Sequence, residues 1–169
     1  GVRTRRSEQR LLEIRNEQRY DIYDLFLQFP EALAPRYLRL GVNERVDRDG
    51  RVLVEPDERE LGEIAERLRG ERIEALAISF LHAFRNPQNE DKVARFMERA
   101  LPGVPISLSS QVAPEIREYE RTSTTVANAY VQPRLRDYLN RLEGLLQSQG
   151  YGGRLYLMLS SGGNTSTRT

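Results

Sequence analysis

Between Ile73 and Leu81 the chain reads IEALAISFL, apolar except for Glu74 and Ser79. The run is far too short to cross a membrane, and it lacks the polar alternation of a strand with one wet face. It follows a helical stretch and is closed on its carboxyl side by Asn86-Pro87, so it is read as a strand buried on both faces. Such a strand needs one covering layer above it and another below. The rest of the chain has to supply both.

The flanking segments have the patterning to do so. Leu61, Ile64, Ala65 and Leu68 share one face of a helix over Glu58 to Arg69, with Asp57 placed to cap it and Gly70 to end it. Asn86-Pro87 opens a second helix, roughly Gln88 to Leu101, with Val93, Phe96, Met97 and Leu101 inward. Pro105 to Ser109 and Arg154 to Leu159 read as further strands. Arg36 to Asp47 and Arg51 to Glu55 alternate and are joined by Asp49-Gly50, the signal of a tight hairpin. A third helix is expected from about Ser123, interrupted near Pro133 and resuming through Gln149, with Leu135, Tyr138, Leu139, Leu142, Leu145 and Leu146 as its apolar stripe. This order predicts an α/β domain with a mixed sheet and flanking helices. The expected layout is a single domain over 1–169, with an irregular lead-in over 1–35, the core over 36–163 and a frayed polar tail over 164–169.

Composition excludes several chemistries. The chain has no cysteine, so disulfides, thiolate metal sites and a cysteine nucleophile are absent, and its one histidine, His82, rules out a multi-histidine metal site. The formal net charge is +1, and the arginines alternate with Glu and Asp, so nucleic acid is not an expected partner. No apolar run reaches the length of a membrane span, and no signal peptide is recognisable; the expectation is a soluble, cytoplasmic chain.

The densest polar stretch is Pro114 to Tyr130, PEIREYERTSTTVANAY. Glu115, Arg117, Glu118, Glu120 and Arg121 come first, then the hydroxyls of Thr122, Ser123, Thr124 and Thr125. Hydroxyls at a helix start are either caps for the free backbone N–H groups or part of an anion or phosphate site. Glu118, Glu120 and Arg121 are either an ion-paired helix start or groups that orient substrate or a Mg²⁺-bound water. Ser160-Ser161-Gly162-Gly163 follows a strand, where it forms a plain turn or a backbone cradle for an anion. A single histidine beside an apolar strand is more often hydrogen-bonded structure than a base.

The central block, with Asn128, Ala129, Tyr130, Val131 and Pro133 following it, resembles that of the hydantoinase A/5-oxoprolinase family. Glu44-Arg45-Val46-Asp47 with Asp49-Gly50, Ala75 to Phe84, Asn86-Pro87, Glu90 and Met158 to Gly163 fall in the order that family has them, with Ser161 where an Asn is usual. Gly1 to Asn16 resembles a stretch lying well inside the family's full-length proteins, so the chain looks like an internal piece of one. The resemblance implies part of an actin/hexokinase-like ATPase fold, also called ribonuclease H-like. It implies a parent that uses ATP and Mg²⁺ to hydrolyse a cyclic amide such as 5-oxoproline or a hydantoin by phosphorylating the amide oxygen, or to carboxylate a ketone such as acetone.

Glu118, Glu120 and Arg121 are the catalytic candidates so implied. Thr122, Ser123, Thr124, Asn128 and Ser160 to Gly163 (Ser160, Ser161, Gly162, Gly163) are the cofactor-binding ones, and no metal ligand is assigned. Loss of Arg121 is expected to affect turnover more than stability. The expected partners are the remainder of the parent chain and a hydantoinase B-type subunit. The family's Asp-Gly-Gly-Thr type phosphate loop is missing from these residues, so the piece alone is expected to be inactive, with no tightly bound cofactor. The competing reading, from a different class, is a non-catalytic assembly domain whose long helix packs on another subunit.

Overall fold

The computed structural model describes residues 2–4, 32–158 and 164–166, with side chains over 32–155. The chain divides into two compact units, Gly1–Pro133 and Arg134–Thr169.

The first unit is built on a four-stranded parallel sheet in the order β2-β1-β5-β6. Its strands are β1 (Val2–Thr4), β2 (Leu40–Val42), β5 (Leu76–Ser79) and β6 (Ile106–Leu108). Leu76, Ala77 and Ile78 of β5 register with Ile106, Ser107 and Leu108 of β6. All four β5 residues are buried, as the apolar run predicts. Ile78 has no exposed surface. Replacing it with Ala should cost roughly 2–5 kcal/mol in chemical denaturation, the range for deleting a large buried aliphatic group; a cost near zero would mean that the strand is not central.

Helix α1 (Glu58–Gly70) presents the expected inward residues Leu61, Ile64, Ala65 and Leu68. Helix α2 (Gln88–Ala100) buries Val93 and Met97 as expected and Ala94 besides, while Phe96 is only partly buried and Leu101 is buried just past the helix end. Together with Leu40, Val42, Leu76, Ile78 and Leu108 they form one core. Asp57 caps α1 by accepting from the backbone N–H groups of Arg59 and Glu60.

The stretch from Arg36 to Asp47 differs from the single strand expected. It forms a 3-10 turn over Arg36–Leu38, then β2, then β3 (Arg45–Val46), which pairs antiparallel with β4 (Val52–Val54). Parallel and antiparallel pairing therefore both occur, but in separate sheets. The Asp-Gly turn forms as expected. The Asp47 carboxylate accepts from the N–H groups of Asp49 and Arg51, and Gly50 adopts φ +86°, a conformation that favours glycine. The N–H of Arg51 does most to hold the Asp47 carboxyl below its usual range.

After β6 the chain makes a short helix, α3 (Ser109–Val112), and then α4 (Glu118–Ser148). Helix α4 starts five residues before the expected Ser123 and runs through Pro133 without a break. Glu118 and Glu120 occupy its first turn, where negative charge complements the helix dipole. In the second unit β7 (Tyr156–Met158) pairs antiparallel with β8 (Asn164–Ser166), so part of the tail expected to fray is a strand. Ser160 to Gly163 lie outside the described residues.

Candidate functional site

Because β5 and β6 are parallel, both carboxyl ends emerge on one edge of the sheet, the edge where open α/β sheets place their ligands. A buried carboxylate gathers these ends. Glu90, in the first turn of α2, has no exposed surface. Its Oε1 accepts from the backbone N–H of Phe80, the residue after β5, at 2.9 Å, and from Ser109 Oγ, just after β6, at 2.6 Å. Its Oε2 accepts from the Ser110 N–H at 2.9 Å.

Arg121 reaches the same place from α4. It is 1% exposed, and it donates from Nη2 to the Phe80 carbonyl at 2.8 Å and from Nη1 to the Glu115 carbonyl at 2.7 Å. Both backbone groups of Phe80 are thus held by charged side chains, N–H by Glu90 and C=O by Arg121. The guanidinium lies 5.5 Å from the Phe84 ring centroid, in cation–π range. Its Nε is buried with no hydrogen-bond partner. Burial lowers its pKa, while the charges of Glu90 and Glu118 act in the opposite direction.

The hydroxyls that could have capped a helix sit inside α4. Thr122 Oγ1 pairs with Ser79 Oγ of β5 at 2.8 Å. Ser123 Oγ donates to the Tyr119 carbonyl and Thr125 Oγ1 to the Arg121 carbonyl, each at 2.6 Å. Asn128 Nδ2 donates to Ser107 Oγ of β6, which in turn donates to Gln132 Oε1. Arg121, Thr122 and Asn128 thereby fasten α4 to β5 and β6. Thr124 is exposed, Glu118 and Glu120 are half-buried, and Glu120 lies 3.7 Å from Arg117.

His82 follows the same strand end. It adopts φ +63°, uncommon for a residue with a side chain, and its Nδ1 lies 3.0 Å from the Val46 carbonyl. A carbonyl only accepts, so Nδ1 carries the hydrogen and ties the turn to the β3–β4 hairpin. Asn86 Nδ2 donates to Gly50 O beside it, and Asn89 Nδ2 donates to Glu44 Oε2 and Val54 O.

Glu90 is the central residue that reading for chemistry passed over. Its signal was present, since it precedes Val93, Ala94 and Met97 at helical spacing on the inward face of α2. A carboxylate in that stripe has to find buried donors.

These residues sit in a recognisable framework. The family described as the hydantoinase/oxoprolinase N-terminal region matches residues 1–101, and the hydantoinase/oxoprolinase family matches residues 121–169. The chain belongs to the hydantoinase/oxoprolinase family. This member is 39% identical over 153 residues to an uncharacterised protein of Methanocaldococcus jannaschii, covering 90% of the chain and 22% of that protein. It is 35% identical over 154 residues to caprolactamase subunit alpha of Pseudomonas jessenii, again covering 90% of the chain and 22% of the relative.

The crystal structure of the ATP-dependent caprolactamase from that organism superposes with a TM-score of 0.86 at 33% identity, over 97% of the chain and 24% of that structure. Nucleotide-free acetone carboxylase gives 0.81 at 25% identity, over 98% of the chain and 25% of that structure. The α/β fold is therefore that of the hydantoinase-family, ATPase-like enzymes, and the chain spans about a quarter of the solved structures it matches. Among the described residues no helix is long and apolar enough to cross a membrane.

Proposed function

We propose that this hydantoinase/oxoprolinase segment forms part of an ATP-dependent enzyme that hydrolyses cyclic amides, 5-oxoproline or hydantoins among them. The observation that carries the reading is the fold-wide likeness to an ATP-dependent caprolactamase, since a lactam is a cyclic amide. ATP with Mg²⁺ supplies the activation that an amide needs, by phosphoryl transfer to its oxygen, because resonance otherwise protects the carbonyl carbon from water. The partners in this reading are the remainder of a longer polypeptide and a hydantoinase B-type subunit, and the location is cytoplasmic. Nucleic acid and membrane have no part in it.

Within this reading the residues whose side chains bond to the sheet, to its loops or within α4 prepare the site, and the others meet ligand. Two of the Arg121 donor nitrogens are committed to carbonyls, so the guanidinium holds the loops after β5 and before α4 in place and adds positive potential. Thr122, Ser123 and Asn128 hold α4 in register with itself and the sheet. Glu118, Glu120 and Thr124 are the groups assigned to substrate or the phosphate chain, and Ser160, Ser161, Gly162 and Gly163 keep the cofactor assignment that their sequence alone supports.

The likeness to acetone carboxylase supports a second reading, ATP-dependent carboxylation of a ketone. Phosphate release from ATP by the longer polypeptide with its partner subunit separates the two. A cyclic amide is expected to stimulate release without bicarbonate. Stimulation only by a ketone with bicarbonate would select the carboxylase, and stimulation by neither would remove both. The 169 residues alone contain no Asp-Gly-Gly-Thr sequence and are expected to release no phosphate above background; robust Mg²⁺-dependent release by them would overturn that part.

A further inference from the structure

The carboxyl-terminal part of α4 carries an apolar face that the described structure leaves largely open. Leu135, Tyr138 and Leu145 are 45%, 62% and 64% exposed, and Leu139, Leu142 and Leu146 are half-buried. In heptad terms Leu135 and Leu142 share one core position, Tyr138 and Leu145 the next, and Leu139 and Leu146 the position after it. Three apolar positions per heptad make the broad stripe of a helix packed on a globular body, whereas a self-pairing coiled coil needs only two.

Charge argues in the same direction. Arg134 and Arg141, seven residues apart, line one side of the stripe and are exposed. Two antiparallel copies would set these arginines against each other, and two parallel copies would set them against leucines, so neither pairing satisfies them. The occupant that fits has an apolar patch with an acidic rim beside it.

We infer that this face is the docking surface for the part of the same hydantoinase/oxoprolinase polypeptide that lies outside residues 1–169. The stripe lies within residues 121–169, which match the hydantoinase/oxoprolinase family, while the solved caprolactamase chain has only 24% of its length in common with this one. Ample polypeptide of the same kind is thus available to cover the helix. The inference rests on the reading that these residues belong to a longer polypeptide; it does not depend on which amide or ketone that polypeptide acts on.

Hydrogen exchange tests it, comparing amides 134–148 in the 169-residue chain with the same amides in the longer polypeptide. Burial of the face is expected to slow their exchange about tenfold or more in the longer polypeptide, because opening would then require undocking. Leu135→Asp with Leu145→Asp should abolish that extra protection, while the exposed control Gln147→Asp should leave it intact. Equal protection in both polypeptides would overturn the inference. So would sedimentation showing the 169-residue chain to be a dimer that the double substitution converts to monomer, since the occupant would then be a second copy. Exchange and phosphate release are separate measurements, so failure of one leaves the other standing.

Discussion

Replacing Arg121 with Ala is expected to cost about 3–5 kcal/mol of stability, the range for removing one member of a buried charged set. The guanidinium is 1% exposed and spans from the Phe80 carbonyl to the Glu115 carbonyl. Its removal leaves a cavity over Phe84, an unpaired carbonyl at Glu115 and a Glu90 carboxylate without its nearby positive charge. Arg117→Ala is the control, because that side chain is 75% exposed and its ion pair with Glu120 is at the surface, where changes fall within about 0.5 kcal/mol. Urea unfolding of the two variants decides it. If Arg121→Ala unfolds as the control does, the guanidinium is not a structural clamp. The sequence reading expected the loss of Arg121 to affect turnover more than stability. Its burial adds the expectation of a large stability loss beside any loss of turnover.

Glu90→Ala is expected to cost a similar amount, about 3–5 kcal/mol, because it strands the N–H groups of Phe80 and Ser110 and the hydroxyl of Ser109 while removing the larger of the two negative charges, Glu90 and Glu118, that favour the buried Arg121 cation. Glu90→Gln keeps the volume and one acceptor oxygen but turns an amide N–H₂ toward a donor; about 1–3 kcal/mol is expected. Glu90 and Arg121 act on opposite sides of one peptide residue, so their losses should not add. The double variant Glu90→Gln with Arg121→Met should cost less than the sum of the singles by about 0.5–3 kcal/mol, the range for coupled neighbours. Strict additivity would show that the two charges stabilise the strand end independently.

Local elements were legible where one physical signal dominated. The apolar run became β5, Asp57 became the cap of α1, and Asp49-Gly50 became the hairpin turn, because burial, capping and a positive φ each demand particular residues. The start of α4 was misread because its hydroxyls are good caps, whereas the two glutamates ahead of them fit the first turn as well. Once the helix begins at Glu118, the hydroxyls fall one turn inside it. Thr122 and Thr125 are then buried, Thr122 against Ser79 and Thr125 back-bonded to Arg121, whereas Thr124 faces out.

By itself the sequence determined the α/β class, the buried central strand, the hairpin and membership of a family, since these depend on periodicity, turn chemistry and motif order. Only the tertiary structure decided that β2 leaves its hairpin neighbours for a parallel sheet, and that Glu90 and Arg121 meet at Phe80. Glu90 and Arg121 are 31 positions apart in the chain. Nothing local links them. They are brought together because parallel strands put their carboxyl ends on one edge, where buried peptide groups left over by the ladder must find partners.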